Sequence, residues 1–210
     1  SQSRGLGDVY KRQQELSKKC SREAGGYVHW GGTTRNIIDT GRNLLVREAH
    51  RNILKNLSIS IKKLSDLSIK YSETPMLGRT MGQNAVPISF GFKVAGWIES
   101  LIRLDSKFKH AEASIFTLLF GGAVGAMHGF NGKGYELTQK LASNLGFNNS
   151  IVPNRTSLET NINYLLALSF QGMILGKIAN EIYILMSQSI NEISEKQTKG
   201  QVCRSTTVSY

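Results

Sequence analysis

Between Asn36 and Tyr71 the chain carries no proline and one glycine, Gly41. Val46, His50, Ile53, Leu57, Ile61, Leu64, Leu67 and Tyr71 recur there at steps of three and four, which places them on one face of a single long helix. Thr33 and Thr34 precede it as cap candidates, and Asp39 complements the dipole of its first turns. Ser72 to Pro75 ends it. A second proline-free run extends from Thr156 to about Glu195, with Leu158, Ile162, Leu165, Ser169, Met173, Gly176, Ile182, Met186, Ile190 and Ile193 at helical spacing. At 1.5 Å per residue that rod is roughly 55–60 Å long. A compact chain of 210 residues has a radius of gyration of only about 17 Å. Rods this long and apolar need neighbours, which predicts an all-α long-helix bundle built from several copies of the chain.

Between the rods, a helix is expected to start near Pro87, presenting Val94, Trp97, Ile98, Leu101 and Phe108 on one side. A short break at Gly121 to Gly125 follows, then a helix from about Gly134 to Leu145 and a loop over "GFNNSIVPNR". The uncharged stretch "ASIFTLLFGGAVGAMHGFNG" spaces its glycines as close-packed membrane helices do, but His128, Asn131 and its glycines make the second half too weakly apolar. It reads as a buried turn between helices, and no membrane partner is expected.

The net charge of +11 raises nucleic acid as a partner. Much of that charge lies at the N-terminal end, in Arg4, Lys11, Arg12, Lys18, Lys19 and Arg22, with no zinc-finger spacing and no interleaved aromatics. Solvated surface lysine and arginine is the reading taken, and no nucleic-acid partner is expected. Cys20 and Cys203 form neither a disulfide framework nor a metal-ligand pattern, so a reducing compartment, the cytoplasm, and no metal are expected.

Three polar clusters stand at helix ends: "VHWGGTTRN" (28–36), "GRTMGQNAVP" (78–87) and "VPNRTSLE" (152–159). Each sets hydroxyls, amides or a guanidinium beside free helix N-terminal N–H groups, with glycines that let backbone approach a ligand. Together they suggest a substrate that carries carboxylates. Taken singly, each also has a structural reading: Thr33 and Thr34 as caps, Arg79 and Arg155 as surface charges, His29 and His128 as structural histidines, and Met81 as packing.

Taken together the clusters resemble the fumarase/aspartase superfamily, closest to its adenylosuccinate lyase and 3-carboxy-cis,cis-muconate cycloisomerase branch. "VHWGGTTRNIIDT" is similar to the first conserved region of that branch, and "GRTMGQNAVPISFGFKVAGW" to the second, commonly Arg-Thr-His-Gly-Gln-x-Ala-x-Pro. "FGGAVGAMHGFNGKGYELTQKLASNLGF" and "VPNRTSLETNINYLLALSFQGMILGKIANEI" follow its core helices, so the resemblance runs from about Glu15 to Val202. It implies a homotetramer around a central helical bundle, with active sites assembled from three subunits. It also implies anti elimination across C–N or C–O, or cycloisomerisation, of a small polycarboxylate without a cofactor.

Carried over, His29, Thr33, Thr34 and Asn36 fall in the substrate-binding first region, and Thr80 and Gln83 hold substrate from the second. Arg79 and Asn84 would be further polar edges of that second pocket. Arg155 falls near a substrate-contact position, and Ser205 on the serine that serves the family as base. Met81 stands where lyases often carry a general-acid histidine, and a thioether cannot transfer a proton. After "KGQV" the family's Gly-Ser-Ser-x-Met-Pro-x-Lys-x-Asn loop is replaced by "CRSTTVSY". The expected organisation is a non-native leader over 1–13, the end of an N-terminal lyase domain over 14–35, a partial central bundle over 36–202 and a truncated or non-native tail over 203–210. The chain is thus expected to be a fragment, itself inactive. The rivals are a non-catalytic helical oligomer or inactive relative, and a basic helical nucleic-acid binder.

Overall fold

A computed structural model describes residues 2–154 and 156–194, with the side chains of residues 2–9 excepted. The chain is mostly helical: α1 (Gln2–Lys19), α2 (Arg22–Gly25), α3 (Thr34–Lys70), strands β1 (Pro75–Thr80) and β2 (Gln83–Ser89), α4 (Phe90–Ile115), β3 (Thr117–Leu118), a 3₁₀ turn (His128–Phe130), α5 (Gly134–Leu145), β4 (Asn148–Asn149) and α6 (Glu159–Met186). It forms two compact units, Ser1–Lys63 with Leu101–Ser169, and Leu64–Ser100 with Phe170–Tyr210.

The α3 rod matches its sequence signature. Every residue of the expected face, Val46 through Tyr71, is buried or half-buried. In α4 the buried positions run Gly91, Val94, Trp97, Leu101, Leu104, Phe108, Ala111 and Ile115, the three-four spacing of one helix stripe.

In the first unit Leu57, Leu101, Leu104, Phe108, Phe116, Leu118, Phe120, Ala142, Phe147, Tyr164 and Ala167 make the core. His50 sits inside it at 1% exposure. Its Nδ1 lies 3.2 Å from the Tyr164 hydroxyl, and its ring packs edge-on against Phe108 and Phe116. His50 Nε2 approaches the Glu112 carboxylate to 3.4 Å without the alignment of a hydrogen bond. Burial, then the charge of Glu112, pushes the Tyr164 hydroxyl above its usual range, which keeps it neutral and able to donate. The expected helix at Gly134–Leu145 is present with those bounds. Gly146 ends it at φ 65°, where a left-handed residue closes the last turn, and Phe147 N–H reaches back to Ala142 O at 2.8 Å. Arg47 donates to Gly146 O at 2.9 Å and stacks over the Phe147 ring at 4.7 Å. The break after α4 is wider than its glycines suggest, since irregular chain fills most of 116–133. β3 pairs there with β4 in parallel, Thr117 against Asn148.

The second unit departs from the sequence expectation. Pro87 does not start a helix; it lies in β2, opposite Leu77, in an antiparallel hairpin. Met81 (φ 52°) and Gly82 (φ 73°) form the two-residue turn, a pair of left-handed conformations that matches the twist of hairpin strands. The ladder shifts register between Leu77 and Arg79, so Pro87, which has no N–H to donate, sits beside an irregularity. Helix α4 begins only at Phe90, held by Phe90 N–H to Thr74 O and Gly91 N–H to Tyr71 O, both 2.9 Å. Val94, Trp97, Met76 and Leu185 are buried in this unit. Trp97 Nε1 donates to Glu181 at 2.7 Å and Lys93 lies 3.5 Å from the same carboxylate. Burial raises the Glu181 carboxyl, but Trp97, Lys93 and Lys177 together outweigh it and leave it below the usual range.

The last rod is shorter than expected. It runs from Glu159 to Met186 rather than from Thr156 to Glu195. At its start Asn154 Oδ1 accepts from the backbone N–H and hydroxyl of Thr156, a local turn that competes with helix. At its end the Ser187 hydroxyl caps Ile184 O at 2.7 Å. Asn191 then adopts φ 49°, and Glu192 N–H returns to Leu185 O at 3.0 Å. Helix α6 is long and apolar enough to cross a membrane by length and composition, with 17% of its most apolar window buried. Leu165, Leu166, Met173 and Tyr183 are exposed along it.

Candidate functional site

The start of α3 and the glycine loop after α4 enclose a cavity of about 410 Å³ in the first unit, lined by His29, Gly31, Gly32, Thr33 and Thr34 on one side and Gly121, Gly122, Ala123, Val124, His128 and Gly129 on the other. Helix α3 begins at Thr34. Its first-turn N–H groups have no carbonyl acceptor within the helix, and its dipole puts partial positive charge at this end. Asn36 explains why the loop stays there. It is 1% exposed; its Oδ1 accepts from Thr33 N–H at 3.1 Å and Gly122 N–H at 3.2 Å, while its Nδ2 donates to Leu119 O at 2.7 Å. The sequence placed Asn36 among the substrate contacts. The structure uses its amide to brace the pocket wall.

Two features mark the pocket as more than a helix entry. His29 holds φ 70°, a left-handed conformation uncommon for a non-glycine residue, and its buried Nε2 has no protein partner. A buried polar atom without a partner costs about 1–3 kcal/mol, so a ligand atom is the fitting complement. Gly31 (φ 65°) and Gly122 (φ 81°) let the walls meet: a Cβ on Gly122 would stand 3.0 Å from Gly31 O. The fixed donors, hydroxyls and positive helix end suit a carboxylate.

The second cluster belongs to the chain's second unit. Thr80, Met81 and Gln83 share the hairpin turn, all exposed, with Met81 at 95%. Arg79 is not a free anion receptor, which corrects the sequence expectation. Its Nη1 and Nη2 bind Glu192 Oε2 and Oε1 at 2.9 and 2.8 Å. The third cluster opens, with Arg35, Asp39 and Arg42, onto a cavity of about 530 Å³ beside the start of α6. Asp39 accepts from both arginines, at 2.8 and 2.9 Å. Arg155 and Ser205 lie outside the described residues. Among the described residues no three His, Cys, Asp or Glu side chains gather at metal-ligand spacing. The structure thus brings His29, Thr33 and Thr34 into one pocket and Thr80, Met81 and Gln83 onto one turn. It adds the loop from Gly121 to Val124, whose glycines the sequence marked only as a buried turn.

The Lyase family model matches residues 4–205. N-acetyl-S-(2-succino)cysteine lyase of Enterococcus italicus is 35% identical over 184 residues, covering 88% of this chain and 40% of that protein. Adenylosuccinate lyase of Pyrococcus abyssi is 31% identical over 200 residues, covering 95% of this chain and 44% of that one. The solved 3-carboxy-cis,cis-muconate lactonizing enzyme of Pseudomonas putida superposes with a TM-score of 0.79 at 29% identity, over 85% of this chain and 41% of its own. The chain therefore spans about two fifths of the length of these relatives. It belongs to the Lyase family of the fumarase/aspartase superfamily, and its relatives include adenylosuccinate lyases and 3-carboxy-cis,cis-muconate cycloisomerases.

Proposed function

We propose that this chain supplies the carboxylate-holding part of an active site that performs anti elimination from a small polycarboxylate. The observation that carries the reading is the pocket at the start of α3, where His29 Nε2 is buried without a protein partner among Thr33, Thr34 and glycine backbone. In the proposed mechanism a base removes the proton beside a substrate carboxylate. The charge that develops on that carboxylate is met by the Thr33 and Thr34 hydroxyls and the α3 N–H groups, and the bond to the leaving group then breaks. Ser205 is the proposed base, with Thr80 and Gln83 holding the substrate from the hairpin turn and Arg155 beside them.

Met81 bears on the leaving group. An amine must be protonated as it departs, whereas a thiol with a pKa near 8.5 departs as a thiolate without an acid beside it. A methionine at this position therefore favours a succinyl thioether over a succinyl amine, in line with the similarity to an N-acetyl-S-(2-succino)cysteine lyase. Cycloisomerisation, which has no departing amine, is the next reading on the same ground. An inactive scaffold is the third, favoured by Met81 alone. The exposed apolar residues of α6 support assembly with further copies, a homotetramer in the proposed enzyme, for which the cytoplasm is the proposed compartment on its cysteine pattern.

The test is turnover by the complete enzyme that carries this chain, offered a succinyl thioether, a succinyl amine and a carboxymuconate in parallel. Fumarate from the thioether at a kcat/KM at least about tenfold above the amine supports the assignment, a ratio equal to 1.4 kcal/mol. Equal turnover of both sinks the leaving-group argument, and no turnover of any favours the inactive scaffold.

A further inference from the structure

Arg79 is the only charged residue in the hairpin from Pro75 to Ser89. Both Nη atoms of its fork bind one carboxylate, that of Glu192, Nη1 also donating to Leu77 O at 3.4 Å, and both side chains are only about one-fifth exposed. The same carboxylate accepts from the backbone N–H of Leu77, one strand step away on β1. Glu192 is itself anchored, because its own N–H and that of Ile193 both return to the carbonyl of Leu185, a buried residue in the last turn of α6. A planar fork on a carboxylate fixes angle as well as distance, which a lysine would not do. The turn that carries Thr80 and Gln83 follows Arg79 directly.

We propose that Arg79 and Glu192 are positioning residues: their paired contact holds the Thr80–Gln83 turn in fixed register with the chain leaving α6. The pair does not bind substrate; it sets where the Thr80–Gln83 turn stands relative to the described chain that follows α6. The role in turnover rests on the function proposed above, whereas the mechanical coupling does not.

The charges around the contact set its pH dependence. Hydrogen bonds from Arg79, offset in part by burial and reinforced by the positive charge of Arg79, the Leu77 N–H and the charge of Lys93, hold the Glu192 carboxyl below the usual carboxylate range. The contact is therefore complete above that range and is lost as pH falls through the depressed value. Glu181, the other acid near Lys93, is also depressed and would titrate in the same direction. A Glu192→Gln variant separates the two, because it removes only the acid that faces Arg79.

Amide exchange on the 210-residue chain tests the coupling. In Glu192→Gln at pH 7, protection of residues 76–89 and 187–194 should fall together by about tenfold or more, the loss expected of a charge-assisted contact, while α5 is unchanged. Wild-type protection of the hairpin should drop at acid pH, and the variant should lack that step. The exchanged pair Arg79→Glu with Glu192→Arg should recover part of the protection, and Arg79→Lys should fall between wild type and Glu192→Gln. Hairpin protection within about twofold of wild type in Glu192→Gln overturns the coupling. So does a loss spread equally over the whole second unit, which would make the contact a general stabiliser. In the complete enzyme Glu192→Gln should lower kcat with KM unchanged, and the exchanged pair should restore part of it. An unchanged kcat in an active enzyme overturns the positioning role. A wild-type enzyme that turns over none of the three substrates sinks the proposed function instead, and leaves the coupling to be judged by exchange alone.

Discussion

Gly31→Ala is expected to collapse the pocket at the start of α3 and with it the activity of the complete enzyme. Gly31 holds φ 65°, and an added Cβ would run into the Phe130 ring. The left-handed backbone alone costs alanine roughly 1–2 kcal/mol. Relieving the clash costs a further 1–3 kcal/mol or so, because Phe130 is backed by Phe120 at a ring separation of 6.1 Å. Phe120 is itself buried and stands 3.0 Å from where a Cβ of Gly32 would lie. A cost of about 2–5 kcal/mol, charged against the pocket's shape, corresponds to a loss in kcat/KM of more than about 30-fold. Steady-state kinetics beside near-ultraviolet circular dichroism, which reports Trp30 next to the pocket, would read both parts. The control is Gly172→Ala, in α6, where an added Cβ meets nothing within 4 Å. That change should be neutral or stabilising by about 0.5–1 kcal/mol. Wild-type turnover in Gly31→Ala would show that the pocket is not the site.

The largest stability effect is expected at Phe108. It is fully buried and holds together three elements, with its ring against His50 of α3 and Tyr164 of α6 at centroid distances of 5.8 and 6.0 Å. Phe108→Ala removes the ring and leaves a cavity beside a buried histidine and a buried tyrosine hydroxyl. Truncations of this kind cost about 3–5 kcal/mol. The cost here belongs at the upper end, since the His50–Tyr164 contact at 3.2 Å loses the wall that aligns it. Urea unfolding followed by tryptophan fluorescence should show the midpoint move with little change in slope. A shift worth less than about 1 kcal/mol would mean that the first unit is not organised around this ring.

What the sequence disclosed depended on how local the cause was. The α3 rod was readable because a proline-free stretch with a three-four apolar face needs nothing beyond itself to be helical. The α5 helix was readable because its last turn is closed by its own Gly146. The hairpin was misread because Pro87 suits a helix start as well as an edge of β structure. The deciding signal, a two-residue turn with glycine second, was hidden behind Met81, an unusual residue for a left-handed position. The α6 rod ended early because Ser187 and Asn191 offered the backbone local alternatives to helix, which apolar spacing does not register. In the candidate site, His29, Thr33 and Thr34 stood out as one polar run before a helix. The loop that faces them did not, since Asn36 reaches its partners 83 and 86 residues away. Arg79 read as a pocket edge or a surface charge because its partner, Glu192, lies 113 residues along the chain.

Elimination at this site requires that the Thr33–Thr34 end of α3 hold a substrate carboxylate. The direct measurement is fumarate release from N-acetyl-S-(2-succino)cysteine by the complete enzyme, wild type against Thr34→Val, followed by ultraviolet absorbance. Valine keeps the shape of threonine and removes the hydroxyl, so a substrate oxygen is left without a donor at a cost of about 1–3 kcal/mol. The predicted result is steady fumarate formation by the wild type and a kcat/KM lower by about 5- to 150-fold in the variant. Fumarate formation by Thr34→Val at the wild-type rate, or none from the wild-type enzyme, would contradict it.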